Sequence, residues 1–167
     1  MKNSPSFVAL LLAALCLGGC ASAPTFTDPG LVGAWRGHVQ FKNGAFAGVK
    51  DLEFLYAFNA GGTMTESSNY DGVPPVAPAY GVWRKVGDRT FEARYEYYWT
   101  KAPATFDELA KGGGWMPGGR GVLVQTITLS ADGNSFDSTI KYTVLNAQGK
   151  ATDPVSEASA QGARMQF

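Results

Sequence analysis

Residues 90–99 read TFEARYEYYW, a stretch in which apolar and polar side chains alternate. Successive side chains of a β-strand point to opposite faces of its sheet, so this period of two predicts a strand with one buried face. The stretch holds the clearest strand pattern of the chain. Its buried positions would be Phe91, Ala93, Tyr95, Tyr97 and Trp99, and its exposed positions Thr90, Glu92, Arg94 and Glu96.

The same alternation recurs along the rest of the chain, whereas helical periodicity is almost absent. It predicts seven further strands, although it leaves open which face carries Trp83 and how the sixth strand is oriented. These strands cover residues 33–41, 51–59, 63–68, 80–86, 122–130, 136–145 and a last segment from residue 155 towards the C-terminus. The buried faces of the first two would consist of Trp35, Val39, Phe41, Leu52, Phe54, Tyr56 and Phe58.

The connections between these strands alternate in length. Residues 42–49, 69–79 and 100–121 are long and rich in Gly or Pro, whereas residues 60–62 and 87–88 are tight turns. In an up-and-down meander such an alternation places all tight turns at one end and all long connections at the other. The chain is therefore predicted to be all-β, an eight-stranded up-and-down antiparallel β-barrel with one closed end and one mouth.

Gly33, Ala34 and Trp35 at the start of the first strand resemble the GxW motif of the lipocalin and wider calycin group. In that group an Arg near the end of the barrel lies across the Trp ring and plugs the closed end, which implies this role for Arg164. The stretches GVWRKVGDRTF and QTITLSADGNSF also resemble uncharacterised bacterial proteins of lipocalin-like type. The resemblance implies a calycin-like fold and no particular activity.

The first nineteen residues have the three parts of a secretory signal peptide, namely Lys2, an apolar run over residues 7–17, and the small pair Gly18 and Gly19. The apolar run is roughly half of the ~20 residues that span a bilayer as a helix. Leu17, Gly18, Gly19 and Cys20 resemble the lipobox of bacterial lipoproteins, which implies cleavage before Cys20 and a lipid on its sulfur.

Three segments follow from this interpretation: a lipoprotein signal peptide over residues 1–19, a lipidated cysteine with a tether over residues 20–32, and a lipocalin-like barrel over residues 33–167. The leader predicts a location in the bacterial cell envelope, anchored to a membrane by the lipid on Cys20. Ala21 follows the cysteine, where Asp would signal inner-membrane retention, and therefore favours the outer membrane, with the barrel facing the periplasm.

Charge and composition exclude several classes of function. Loss of Lys2 with the signal peptide leaves 13 basic against 14 acidic side chains, without the basic cluster that a nucleic-acid partner requires. Cys16 leaves with the signal peptide and Cys20 carries lipid, so no thiol remains for catalysis, and His38 is the only histidine. The sequence therefore indicates no catalytic residue, no metal site and no cofactor.

The aromatic faces of the second and fifth strands are the candidate ligand site. Tyrosine hydroxyls would orient an apolar ligand near the mouth, and residues 100–121, with a capping box at Thr105 and Glu108, would act as a lid. A solid core explains the same rings equally well. An apolar-ligand carrier, an isomerase- or cyclase-type enzyme using a buried carboxylate or Tyr, and a structural lipoprotein all remain open. The predicted ligand contacts are Phe54, Tyr56, Phe58, Tyr95, Tyr97 and Trp99.

Overall fold

A computed structural model describes residues 30–70, 77–111 and 116–167 of the chain. Eight strands and one short helix, α1 (Phe106–Ala110), make up the described part. None of the described helices is long and apolar enough to cross a membrane. The strands are β1 (Gly33–Phe41), β2 (Leu52–Phe58), β3 (Thr63–Ser68), β4 (Ala79–Lys85), β5 (Thr90–Lys101), β6 (Met116–Leu129), β7 (Ser135–Asn146) and β8 (Ser156–Arg164).

The eight strands form a closed antiparallel barrel in sequence order, which confirms the predicted fold class. Each strand pairs with the next, and β8 returns to β1, with Trp35 opposite Arg164 and Phe41 opposite Ala158. Closure leaves no open sheet edge. The architecture is compatible with a calycin-like fold, and the tight turns lie at one end and the long connections at the other.

The structure decides the two orientations that alternation left open. Trp83 points into the barrel and is 6% exposed, and its indole nitrogen donates to the carbonyl oxygens of Asn59 and Thr63 at the closed end. In β6, Leu123, Gln125, Ile127 and Leu129 face inwards, while Val124, Thr126 and Thr128 face solvent.

The connection between β5 and β6 is shorter than predicted. Both strands continue past the predicted limits, so that Thr100 pairs with Pro117 and Lys101 with Met116 after a bulge beyond Trp99. Gly118 and Gly121 of this segment therefore lie in a strand, and their missing Cβ atoms make room for rings: a Cβ on Gly118 would lie 2.2 Å from the Trp99 ring. At these two positions glycine is required by the packing of aromatic rings.

Within that connection, α1 begins as the capping box predicts. The Thr105 hydroxyl accepts a hydrogen bond from the Glu108 amide at 3.2 Å, while the Glu108 carboxylate accepts one from the Ala104 amide at 2.8 Å. None of the residues of α1 is buried. The helix therefore contributes no side chain to the barrel interior.

The closed end is plugged by Trp35 and Arg164, the contact that the resemblance implies. The Arg164 guanidinium lies 4.2 Å from the Trp35 ring centroid and donates to the carbonyl oxygens of Gly30, Val32 and Gly133. The Trp35 indole nitrogen donates to the Leu31 carbonyl at 2.9 Å, and Leu31 is fully buried. Residues 30–32, which belong to the predicted tether, thus pack against this end.

We expect the Trp35–Arg164 contact to be energetically coupled, because a cation over an indole ring contributes about 0.5–2 kcal/mol when it is partly desolvated. Denaturant unfolding of Trp35→Leu, Arg164→Leu and the double variant measures this coupling. The double variant should lose less stability than the two single variants together. Strict additivity of the two losses would contradict a direct interaction.

Candidate functional site

A small cavity lies inside the barrel near its mouth. Its volume is about 40 Å³, enough for roughly three water molecules or the end of a small ligand. Binding pockets for drug-sized ligands measure about 300–1,000 Å³, so the cavity does not accommodate a whole lipid tail. Its wall is mostly aromatic and includes a single carboxylate; it consists of Phe41, Phe46, Leu52, Phe54, Glu66, Ser68, Tyr70, Ala77, Tyr97, Leu123 and Tyr142.

Glu66 is the acidic side chain in this wall. Alternation along β3 turns Met64, Glu66 and Ser68 inwards, and Glu66 is only 6% exposed. Its Oε1 atom is buried without a hydrogen-bond partner among the described residues. Burial raises the pKa of this carboxyl to about 8, since the ionised form loses hydration inside the barrel.

Two tyrosines form a hydroxyl pair at the same cavity. The Tyr97 and Tyr142 hydroxyl oxygens lie 2.6 Å apart, and the two rings stack at 6.4 Å between centroids. The Tyr97 ring lies over Gly121, its partner on the adjacent strand β6, because Gly121 has no side chain, and a Cβ there would lie 2.3 Å from the ring. Burial raises the pKa of both phenols above the usual range, so both hydroxyls stay protonated near neutral pH.

Phe46 covers the mouth from the connection between β1 and β2. Its ring contacts those of Phe41, Tyr70 and Tyr142 at centroid distances of 5.3–6.0 Å. The lid was predicted at residues 100–121, yet in the described part of that segment β5 and β6 continue and α1 is exposed. Phe46 is the only aromatic residue of the sequence between positions 42 and 51, and this feature could have identified it in advance.

Below Glu66 the barrel is filled. The Tyr95 hydroxyl donates to the Gln125 side-chain oxygen at 3.0 Å, and the Gln125 amide donates to the Ser138 hydroxyl at 2.8 Å. Tyr56, the cross-strand neighbour of Glu66, is 2% exposed, and its hydroxyl has no partner among the described residues. Burial and the nearby charge of Glu66 raise the pKa of Tyr56 above its usual range.

The six predicted ligand contacts therefore lie at different depths. Phe54 and Tyr97 line the cavity, whereas Tyr56 and Tyr95 are buried in the filled interior beneath it. Phe58 packs against Trp83 towards the closed end, at 6.1 Å between ring centroids. Trp99 lies at the rim, where it lines an outer groove of about 580 Å³ together with Tyr97 and Val144.

Other candidate residues take no part in the cavity. His38 lies on the outer face with its side chain 73% exposed, and its Nε2 atom is 3.3 Å from Glu53 Oε1. Cys20 lies outside the described residues. Glu66 was not singled out from the sequence, although the alternation of Met64, Glu66 and Ser68 was the signal that could have found it.

The cavity can therefore accept a hydrogen bond or a positive charge at Glu66, or exchange a proton there, within a ring of aromatic side chains. Comparison of the chain with protein-family models, curated proteins and solved structures gives no match.

Proposed function

We propose that this protein is a bacterial envelope lipoprotein that binds a small, mainly apolar ligand at the mouth of its barrel. The signal-peptide pattern and the lipobox ending at Cys20 support the anchor, and Ala21 supports the outer membrane, with the barrel facing the periplasm. The near balance of charges supports a partner other than nucleic acid.

One observation carries the binding function: a buried carboxylate oxygen of Glu66 has no partner among the described residues and lies at an aromatic cavity. An unpaired buried polar atom costs about 1–3 kcal/mol, a cost that a bound ligand with a complementary group offsets. Aromatic surface around one polar anchor is the usual construction of a small-molecule site. The volume limits the enclosed part of the ligand to a few non-hydrogen atoms.

Filling the cavity should abolish binding. Ser68 lines the cavity at the end of β3, so Ser68→Phe would place a ring in it. Ser67→Phe is the matched control, because Ser67 lies on the other face of the same strand, opposite the exposed Leu55. Native mass spectrometry of protein isolated from its own envelope should detect a retained small molecule with wild type and Ser67→Phe, and none with Ser68→Phe.

Retention of the same molecule by Ser68→Phe would place the ligand elsewhere and contradict the mouth site. If wild type retains nothing and binds no member of a panel of small alcohols, amines, ketones and carboxylates, the barrel is a structural scaffold and the binding function is wrong. Unchanged circular dichroism of both serine variants shows that loss of binding does not result from unfolding.

An isomerase-type enzyme is the second candidate, favoured because Glu66 and the Tyr97–Tyr142 hydroxyl pair share one cavity. A carboxyl whose pKa is about 8 is suited to remove a proton beside a carbonyl and return it to another carbon near neutral pH. Wild type should then catalyse exchange of solvent deuterium into a small ketone, and Glu66→Gln should not. Equal exchange by both would eliminate this candidate.

A further inference from the structure

We propose that the ligand group bound at Glu66 is a small primary ammonium, either a free alkylamine or the amino end of a longer molecule. The inference rests on the proposed binding function and specifies its ligand class.

The cavity contains an ionisable carboxyl, Glu66, and among the described residues no protein cation lies beside it to balance the charge of its ionised form. Among the described residues that line it, Glu66 is the only charged one, and no Lys, Arg or His side chain contributes to the wall. The arginines of the neighbouring outer surface are paired elsewhere: Arg94 and Arg120 both contact Glu96, at 2.7 and 3.1 Å. A ligand cation would therefore supply the charge that the barrel lacks.

The rest of the wall suits a monovalent organic cation. Six aromatic rings of the described residues line the cavity, and the face of an aromatic ring attracts an ammonium group through its negative electrostatic potential. A divalent metal ion is a poor alternative, because Ca²⁺ takes six to eight oxygen ligands and the wall offers one carboxylate. No group of three acidic, His or Cys side chains suited to a metal occurs in the described part of the chain.

Titration of Glu66 gives the proposal a pH signature. Among the described residues, the titratable groups around Glu66 are the phenols of Tyr56 on β2 and of Tyr95 and Tyr97 on β5, together with Tyr70 and Tyr142 in the same cavity wall. Burial raises the pKa of Tyr56, Tyr95, Tyr97 and Tyr142 above the usual range. They stay neutral, so Glu66 is the group that changes charge. Its pKa of about 8 in the empty cavity means that binding a cation at neutral pH releases a proton.

Affinity for an ammonium ligand should follow the ionised fraction of Glu66. It should rise by about 50-fold between pH 6 and pH 8 and level off above pH 9, because a primary ammonium keeps its own proton up to a pKa near 10.4. A neutral ligand would show either no pH dependence or tighter binding at low pH.

Three probes of matched size separate the ligand classes: n-propylammonium, n-propanol and propionate. Each is titrated calorimetrically into the full mature chain in phosphatidylcholine nanodiscs at pH 8, with empty nanodiscs as the blank. We expect n-propylammonium to bind with a Kd on the order of millimolar, consistent with its few non-hydrogen atoms, and at least tenfold more tightly than the other two probes.

Two variants assign the effect to Glu66. Glu66→Gln removes the charge with little change in size and should weaken n-propylammonium binding at least tenfold, whereas Glu157→Gln removes an exposed charge of β8 and should leave the Kd within twofold. Glu66→Gln resembles the neutral acid that the empty site holds at pH 7, so we expect it to fold. Its amide NMR spectrum provides the check.

The outcomes separate this inference from the function on which it rests. If n-propanol or propionate binds as tightly as n-propylammonium, or if Glu66→Gln binds the amine as well as wild type does, the ammonium assignment is wrong, and the mouth site is then decided by the Ser68→Phe experiment alone. If the wider panel also fails to bind, the binding function itself is wrong.

Discussion

We expect the Cys20→Ser chain to incorporate no radioactive fatty acid, whereas wild type becomes labelled when produced in a bacterial host. The reason is chemical, because the lipid is transferred to the cysteine sulfur and a serine hydroxyl offers no thiolate at that position. Labelling of the Cys20→Ser chain should therefore be abolished and not merely reduced. Fractionation should also show that wild type, cut before Cys20, sediments with the membranes through its lipid.

Cys16→Ser is the matched control, since it removes the other cysteine of the chain. Leu15 is too large for the position before the cut, so Cys16 does not qualify as a lipid site, and Cys16→Ser should label like wild type. Label on the Cys20→Ser chain, or its loss from the Cys16→Ser chain, would contradict the lipobox interpretation and with it the envelope anchor.

The second large effect concerns the cost of holding Glu66 inside the barrel. Its pKa lies at about 8 in the folded chain against 4.5 for the free side chain, so between these values the unfolded chain releases a proton that the folded chain keeps. The free energy of unfolding should therefore fall as pH rises from 4.5 to 8, by on the order of 4 kcal/mol from this group, and level off above pH 8.

Glu66→Gln has no such titration. We expect the free energy of unfolding of Glu66→Gln to show no such fall with pH. The variant should then be more stable than wild type by several kcal/mol at pH 8 and similar to it at pH 4.5. Urea unfolding across this pH range measures the difference. Glu157→Gln should follow the wild-type profile, since that side chain is exposed. Parallel profiles for wild type and Glu66→Gln would show that Glu66 titrates as a hydrated carboxyl.

The fold was predictable from the sequence because strand alternation and connection length are local properties. The pattern of TFEARYEYYW predicted the first six positions of β5 as the structure has them, with Phe91, Ala93 and Tyr95 buried. The alternation of short and long connections then predicted the meander and its two ends. The predicted start of β6 was wrong because its glycines were interpreted as loop residues. Gly118 and Gly121 belong to β6, and aromatic rings pack against both.

The depth of the site was less predictable. Strand alternation predicts which side chains point inwards, but it does not predict which other side chains they contact. Tyr56 and Tyr95 point inwards as predicted, yet neighbouring side chains surround them and leave them beneath the cavity. Whether a ring fills the barrel or borders a space depends on contacts across the interior, between residues far apart in the chain.

The sequence alone determined the all-β barrel, its strand order and its closed end, since each depends on the period of two, on turn composition and on the positions of Trp35 and Arg164. Only the tertiary structure decided that the interior is filled up to Glu66, that Phe46 covers the mouth, and that Glu66 Oε1 has no partner among the described residues. The physical reason is that burial and hydrogen bonding of a side chain are set by neighbours from several strands, which become neighbours only when the barrel closes.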